Sequence, residues 1–236
     1  WGVDMSVEDP GPVTDPHTED NRDILRGGAG LTFYNRYDQT RGAFTLFGQR
    51  GKHDFTDYDG WKSHDRTAGL TGYQSIDLFE DNRLEIGGDI RESAGKGENV
   101  RSDTDFGRFF QSQGGIYLDD QHTFFDRLTF QGGVRLELAR HLDPKWLPRF
   151  GVRYQATDST VIHSQVSRGY RAPTIRDLYL FPPSSTTLEP EEAWSSELGV
   201  RQHFGSYFSF DLTGYYIDAE NLIVYLHELK TPEQHR

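Results

Sequence analysis

The sequence predicts an all-β chain, an antiparallel up-and-down transmembrane β-barrel, and three observations predict it. Period-2 alternation of apolar and polar residues recurs along the chain, and no helical spacing competes over a comparable length. Most predicted strands run about nine to thirteen residues, longer than the ~5–6 of an ordinary globular strand and matched to the ~9–11 of a tilted membrane-crossing strand. Short turns alternate with long polar links, the asymmetry that outer-membrane barrels show between their two ends.

About ten strands are predicted, at 28–37, 41–50, 64–75, 82–92, 107–118, 126–138, 148–156, 159–168, 191–204 and 206–218. In the fourth, Leu84, Ile86 and Ile90 alternate with Glu85, Asp89 and Arg91. In the sixth, Leu128, Phe130, Val134, Leu136 and Leu138 alternate with Thr129, Gln131, Arg135 and Glu137. The seventh sets Phe150, Val152 and Tyr154 against Arg149, Arg153 and Gln155, and the ninth resumes alternation at Trp194, Leu198 and Val200. The tenth sets Phe208, Phe210, Leu212 and Tyr216 against Ser209, Asp211 and Thr213. Short turns fall at 37–40, 77–81, 157–158 and Gly205, with 119–125 on the short side of the series; long links fall at 4–27, 51–63, 93–106, 139–147 and 169–190.

Arg135, Glu137, Arg149, Arg153, Glu197 and Arg201 on the polar faces suit the water-filled interior of a large barrel. Phe204, Tyr207 and Phe208 at one strand end, and Tyr215 and Tyr216 near the other, fit an interfacial aromatic girdle, although cross-strand pairing explains any single one equally. Alternation alone leaves a soluble barrel or β-sandwich open; strand length and loop asymmetry favour the membrane.

Composition agrees. Hydrophobic residues are 34%, below the roughly 45–50% (Gly included) of globular domains, and the 25 glycines bring the chain to the lower edge of that range. Aromatic residues at 14% argue against simple disorder, and a Tyr-, Phe- and Gly-rich chain suits strands with one apolar face. The net charge of −12 argues against a nucleic-acid partner. With no cysteine there is neither a disulfide framework nor a thiolate metal site. No leader of the secretory kind is visible, and no apolar run approaches the ~18 residues of a transmembrane helix. The chain opens on Trp1 and ends on Arg236, which reads as a piece of a longer protein.

The stretch 167–201, "SRGYRAPTIRDLYLFPPSSTTLEPEEAWSSELGVR", begins as a strand, breaks at Pro173, passes through Pro182-Pro183 and resumes as a strand. Pro173 removes a ladder donor and biases Ala172 toward extended backbone, so strand pairing is expected to end there. Tyr170-Arg171-Ala172-Pro173, Leu178-Tyr179, Leu188-Glu189-Pro190-Glu191 and Glu197-Leu198-Gly199, in this order, resemble the TonB-dependent receptors of the Gram-negative outer membrane, and "FDLTGYYIDAENLI" at 210–223 resembles the family's next strand. The specific match covers about 57 residues; the remaining strands agree in style.

The resemblance implies a barrel of about twenty-two strands, plugged by an N-terminal domain. It implies uptake of a scarce ligand driven by the TonB protein, which would be met through an N-terminal part outside this chain. On that basis residues 1–236 are expected to be a barrel segment without the plug domain or the C-terminal closing strands. Such a segment would neither close nor transport alone, because an open membrane edge leaves backbone groups unsatisfied. The expected ligand is a small metal chelate or vitamin, with a ferric siderophore first. The other partner is outer-membrane lipid, and no cofactor is expected. Haem importers of the family carry a histidine between the aromatic-Arg-Ala-Pro box and an Asn-Pro-Asn-Leu box. Here no histidine lies between Pro173 and Leu188, and Thr186-Thr187 precedes Leu188. The alternatives are a passive porin-like or structural outer-membrane barrel, and a soluble β-sandwich.

Candidate binding residues follow from residue type. Arg168, Arg171 and Arg176, where the strand meets its loop, suit a carboxylate or catecholate chelate; salt bridges within the wall or to a plug are the alternative. Tyr58, Trp61, Tyr179 and Phe181 suit stacking on a planar ligand, with ordinary packing as the alternative. His53 and His64 bracket a loop containing Asp54, Asp57, Tyr58, Asp59 and Asp65, which makes them weak metal candidates. Asp4, Glu8, Asp9, Asp15, Glu19, Asp20 and Asp23 suit Ca²⁺ or a cationic ligand, but they match no EF-hand spacing and read first as a solvated external loop. No Gly-x-Ser-x-Gly elbow, HExxH or phosphate loop occurs, so no enzyme is expected.

Overall fold

The computed structural model describes residues 2–8, 21–55, 60–180 and 184–224, the side chains of 3–8 excepted. These residues form one antiparallel sheet in which every strand pairs with its neighbours in sequence. The strands are β1 (Gly2–Glu8), β2 (Asn21–Tyr37), β3 (Thr40–Phe55), β4 (Trp61–Ile76), β5 (Asn82–Asn99) and β6 (Thr104–Phe124). They continue as β7 (Leu128–Ala139), β8 (Lys145–Thr157), β9 (Thr160–Arg171), β10 (Glu191–Phe204) and β11 (Phe208–Glu220), with one short helix, α1 (Ile175–Tyr179), between β9 and β10. This is the wall of an up-and-down barrel, open between β1 and β11.

The core is almost empty of apolar side chains. Among the described residues only Trp61, Ala94, Val161 and Ala172 are buried hydrophobics, while Leu31, Phe33, Leu46, Ile86, Ile90, Ile116, Leu118 and Leu198 are all exposed. A soluble sandwich would cover these side chains with a second sheet. Here the single sheet presents them as one continuous apolar band, far larger than a soluble monomer tolerates. The soluble β-sandwich is therefore excluded, and the outer face is the lipid-facing surface of a transmembrane barrel.

Register explains the two faces. Leu46, Leu70 and Ile90 stand directly opposite one another on the outside of β3, β4 and β5. One residue along, the phase reverses: Glu85 faces Asp119, and Tyr117 faces Arg135, on the inside. Because the side-chain period is two, this single register turns the Leu46, Leu70 and Ile90 rows outward and the Glu85, Asp119 and Arg135 rows inward.

The strands are longer than the alternation predicts, and the long links correspondingly shorter. The ladder between β3 and β4 continues to the pair Asp54 and Lys62, and that between β5 and β6 to Asn99 and Thr104. Beyond the apolar band both faces meet water, so alternation stops while backbone pairing continues. Periodicity therefore ends where the membrane ends rather than where the strand ends. The link 51–63 shrinks to 56–60 and 93–106 to 100–103. The predicted link 4–27 contains most of β1 and the start of β2, and the central part of its acidic cluster (Asp9, Asp15, Glu19, Asp20) lies outside the described residues. The connection 172–190 remains long and contains α1, a helix the alternation did not predict.

Candidate functional site: the inner wall and its mouth

The inner face carries a chain of polar side chains that satisfy one another. Arg149 Nε donates to Asp119 Oδ2 at 2.6 Å, and Gln131 Nε2 donates to Asp119 Oδ1 at 2.9 Å. Tyr117 OH and Ser75 Oγ both donate to Glu85, at 2.8 and 2.7 Å. Arg135 reaches Asp89 at 2.7 Å and Glu137 at 2.6 Å, and Arg201 reaches Asp211 at 2.6 Å. Glycine makes room for these side chains. A Cβ on Gly133 would lie 2.1 Å from Asp119 Oδ2, and one on Gly115 2.7 Å from Arg135 Nη2. The wall thus spends most of its charge on internal pairs, which hold neighbouring strands in register.

The mouth is shaped by the 172–190 connection. Pro173 is fully buried and Ala172 nearly so, and the β9 ladder stops at Arg171 as the missing proline donor requires. Helix α1 starts with a capping box: the Asp177 N–H donates to Thr174 Oγ1 at 3.3 Å, and the Thr174 N–H donates to Asp177 Oδ2 at 2.8 Å. The helix does not point into solvent but folds over the inner face to reach β6, three strands away. Gln111 Nε2 donates to the Pro173 carbonyl at 2.6 Å, and the Tyr179 ring stacks on Phe109. This is possible because the β7–β8 hairpin stops at the level of Gln113, leaving the upper part of β6 paired with β5 alone.

Counting ~11 membrane-crossing residues up β9 from Thr160 leaves Arg171, and its partner Glu191, above the hydrocarbon. Arg171 grips Glu191 through two hydrogen bonds, at 2.5 and 2.6 Å, and its Nη1 lies 3.6 Å from Asp177. The Ile223 amide also donates to Glu191, at 2.7 Å. The Arg171 hydrogen bonds first, and the Ile223 amide second, bring the Glu191 carboxyl down to about 2. Next to it Arg168 bonds Glu192, whose other oxygen lies 2.5 Å from Lys145 Nζ, and the Arg168 guanidinium lies 6.0 Å from the Trp194 ring.

The structure brings some of the sequence-predicted residues together and separates others. Arg171, Arg176 and Tyr179 lie together where β9 gives way to α1, with Arg171 near Asp177, Arg176 exposed and Tyr179 engaged by Phe109, while Arg168 stands opposite Trp194 on the neighbouring strand. Trp61 lies on β4 instead, buried between Phe106, 5.5 Å away, and the Gly97 backbone. Tyr58 and Phe181 lie outside the described residues. His53 pairs with Ser63 across the β3–β4 ladder and His64 with Lys52, so the two imidazoles project from opposite faces of the sheet. They do not form a common metal site, and among the described residues no group of three metal-ligating side chains occurs. His53 lies above the span beside Arg26 and Asp65; burial holds its imidazole below the ordinary value, against the pull of Asp65.

Sequence reasoning missed Gln111 and Phe109, which anchor the loop, and the aromatic string Phe79, His122, Phe124, Phe130 and Phe150 at the short-turn end. The string lies on the outward phase, and following that phase past Leu118 to His122 and Phe124 would have found part of it.

An apolar outer band, a self-paired polar interior, and short turns at one end with a folded-in loop at the other define a segment of an outer-membrane-type β-barrel. The chain belongs to the TonB dependent receptor-like β-barrel family, which it matches over residues 9–232. Its fold is similar to the siderophore receptor PirA from Pseudomonas aeruginosa, with a TM-score of 0.75, 13% identity, and coverage of 87% of this chain and 41% of that one. It is similar to a mutant of the ferric enterobactin receptor PfeA from Pseudomonas aeruginosa in complex with enterobactin, at TM-score 0.76, 12% identity, and 87% and 36% coverage. The copper transporter OprC gives 0.66, 15% identity, and 86% and 39%. The chain thus spans well under half the length of these structures, and at such identities the likeness is one of fold. No curated protein sequence matches it.

Proposed function

We propose that this chain forms part of the barrel wall of a receptor in the outer membrane of a Gram-negative bacterium. There it admits a ferric siderophore in an uptake step energised by the TonB protein. The observation that carries this reading is the inward fold of the 172–190 connection. It carries Pro173, Arg176 and Tyr179 of the 167–201 motif stretch over the inner face, just beyond Arg171 at the end of β9. A passive channel has no need of a capped and pinned helix above its lumen.

The arginines divide their work. Arg168 and Arg171 hold Glu192 and Glu191 and stiffen the rim, and Arg176 on α1 adds an exposed cation to the same end of the wall. Planar bidentate donors suit carboxylate and catecholate oxygens. The plug, the closing strands and the segment that meets TonB would come from the rest of the protein. No bond is made or broken in such a role, so the chain acts by binding and passage and not as an enzyme. The siderophore receptors among the structural relatives favour that ligand class, and the copper transporter supplies the competing one.

The test is growth of a strain lacking the complete gene on single iron sources, beside copper accumulation, with the gene restored in parallel. Loss of growth on one ferric chelate, restored by the gene, supports the reading. Loss of copper accumulation alone replaces the siderophore by copper, and unchanged uptake of every chelate, vitamin and metal sinks the receptor reading.

A further inference from the structure

The outer face of β3–β6 carries a strip of cations just above the apolar band. Lys52, His64, Lys96 and Arg108 stand directly opposite one another across the four strands. Two positions nearer the band, Arg50 faces Arg66. Like charges opposed across a ladder are destabilising, and in a chain of net charge −12 carboxylates are abundant. Yet Arg50, Arg66 and Arg108 have no carboxylate in ion-pair distance among the described residues. The acids that do face the strip sit at its upper edge. Asp54 lies 3.7 Å from Lys52, and Glu98 and Asp105 lie 3.5 and 3.7 Å from Lys96. Glu92 lies one row below, opposite Ala68 and Ser112.

A depression of about 250 Å³ opens among Arg50, His64, Arg66, Ala94, Lys96 and Arg108. Beneath it, on the same strands, runs a groove of about 500 Å³ lined by Phe44, Leu70, Ile86, Ile90 and Ile116, and deepened by Gly72 and Gly88. Arg50 and Arg66 lie four residues beyond Leu46 and Leu70, the last large apolar side chains of their strands on this face. That is about 13 Å along the strand, or roughly 9 Å in height at the ~45° tilt of a crossing strand. The cations therefore stand in the headgroup layer and the groove in the hydrocarbon, at the long-link end of the barrel.

We propose that this strip and groove bind one phosphorylated membrane lipid of the outer leaflet, its phosphates on Arg50, Arg66 and Arg108 and its acyl chains in the groove beneath. Arginine suits a phosphate in this role, presenting several donors in a fixed plane. The anion would relieve the repulsion between Arg50 and Arg66. The proposal rests on the reading that this wall spans the outer membrane with the long links outermost, but not on the identity of the transported ligand.

The test uses the complete protein in phosphatidylcholine nanodiscs containing lipid A, bisphosphorylated or dephosphorylated, with retained lipid counted by native mass spectrometry. The wild type should retain the bisphosphorylated form. The triple variant R50Q/R66Q/R108Q should retain about tenfold less, while R50K/R66K/R108K keeps most of it and shows that the barrel is intact. Siderophore uptake should be unchanged in both, because the strip lies on the opposite face from the mouth. Equal retention by the glutamine variant, or of the dephosphorylated lipid, overturns the proposal. Displacement of the lipid by millimolar inorganic phosphate alone overturns the lipid as source and leaves a free-anion site. Absence of uptake by the wild type with lipid retention intact counts against the receptor reading only, and failure to enter the nanodisc overturns both.

Discussion

The ring of Tyr179 lies flat on that of Phe109, with centroids 4.2 Å apart and planes 7° from parallel. The two residues belong to elements separated by three strands of the sheet. The stack therefore pins the 172–190 connection to a part of the wall that is not its own. An aromatic pair is worth about 0.5–1.5 kcal/mol beyond its buried area, enough to shift a loop between docked and undocked positions several-fold. Phe109→Ala is expected to raise the rate of proteolytic nicking within 172–190 by that factor, without changing the folded yield of the barrel. Tyr179→Phe preserves the stack and should leave nicking unchanged. A fall in siderophore uptake in Tyr179→Phe alone would show that the hydroxyl meets ligand.

Glu191 gives the same loop a pH limit. Its carboxyl is held at about 2 by Arg171 and the Ile223 amide, whereas an unfolded glutamate titrates near ~4.3. A depressed carboxyl contributes stability that is fully present above the unfolded value and is lost as pH falls toward the folded one. The rim should thus hold at neutral pH and loosen between about pH 4.3 and about 2. Glu191 is half-buried and its partner Arg171 is exposed, so solvent screens part of the interaction. Limited proteolysis of the complete protein across that range, with an acid-stable protease, should show cleavage near 191 rising as pH falls. Glu191→Gln should be as susceptible at neutral pH as the wild type is near pH 3. A pH-independent pattern in both would remove Glu191 from the rim.

Asp119 is the most committed of the inner carboxylates, 8% exposed and accepting from Arg149 and Gln131. Asp119→Ala leaves both donors facing the lumen without their acceptor, a loss of about 1–3 kcal/mol. It should lower the temperature at which the barrel loses its folded mobility on a detergent gel. The double variant Asp119→Leu/Arg149→Met removes both charges and should be less destabilised than the sum of the single changes, as coupled partners require. Additive losses would show that water, and not Arg149, supports Asp119.

The fold was legible because lipid imposes the same alternation on every crossing strand, as in Phe130, Val134 and Leu138 against Gln131 and Arg135. What lies above the membrane was not legible by that means. Residues 93–99 carry no large apolar side chain in alternation, and only backbone pairing with 61–67 on one side and 104–111 on the other makes them strand. The mouth was legible in part: Pro173 marks the ladder end and the 167–201 motif its place. The contact that folds the loop inward joins Pro173 to Gln111 and Tyr179 to Phe109, residues about 62 and 70 apart in sequence. No local pattern carries a contact of that separation. Trp61 failed as an exposed platform for a simpler reason: its neighbour across the sheet is Asn99, in a stretch read as loop, so the strand that covers it was invisible.

The same register decides the metal question at His53 and His64. Eleven residues apart in sequence, they bracket one predicted loop, and a loop is free to bring two imidazoles together. In the structure both belong to strands, and His53 is opposite Ser63 while His64 is opposite Lys52. Successive residues on a strand point to opposite faces, so no rotamer change brings the two rings onto one ion. His53 lies on the inner side with Arg26 and Asp65, and His64 on the outer side among cations that repel a metal. The variants His53→Ala and His64→Ala, and their combination, should therefore bind Zn²⁺ or Ni²⁺ as the wild type does, measured by calorimetry on the complete protein near pH 7. A loss of one bound metal that appears in both single variants would require the β3–β4 register to slip by one residue, which would turn the apolar row of one of the two strands, with Leu46 or Leu70, into the lumen and that strand's inner charges toward lipid.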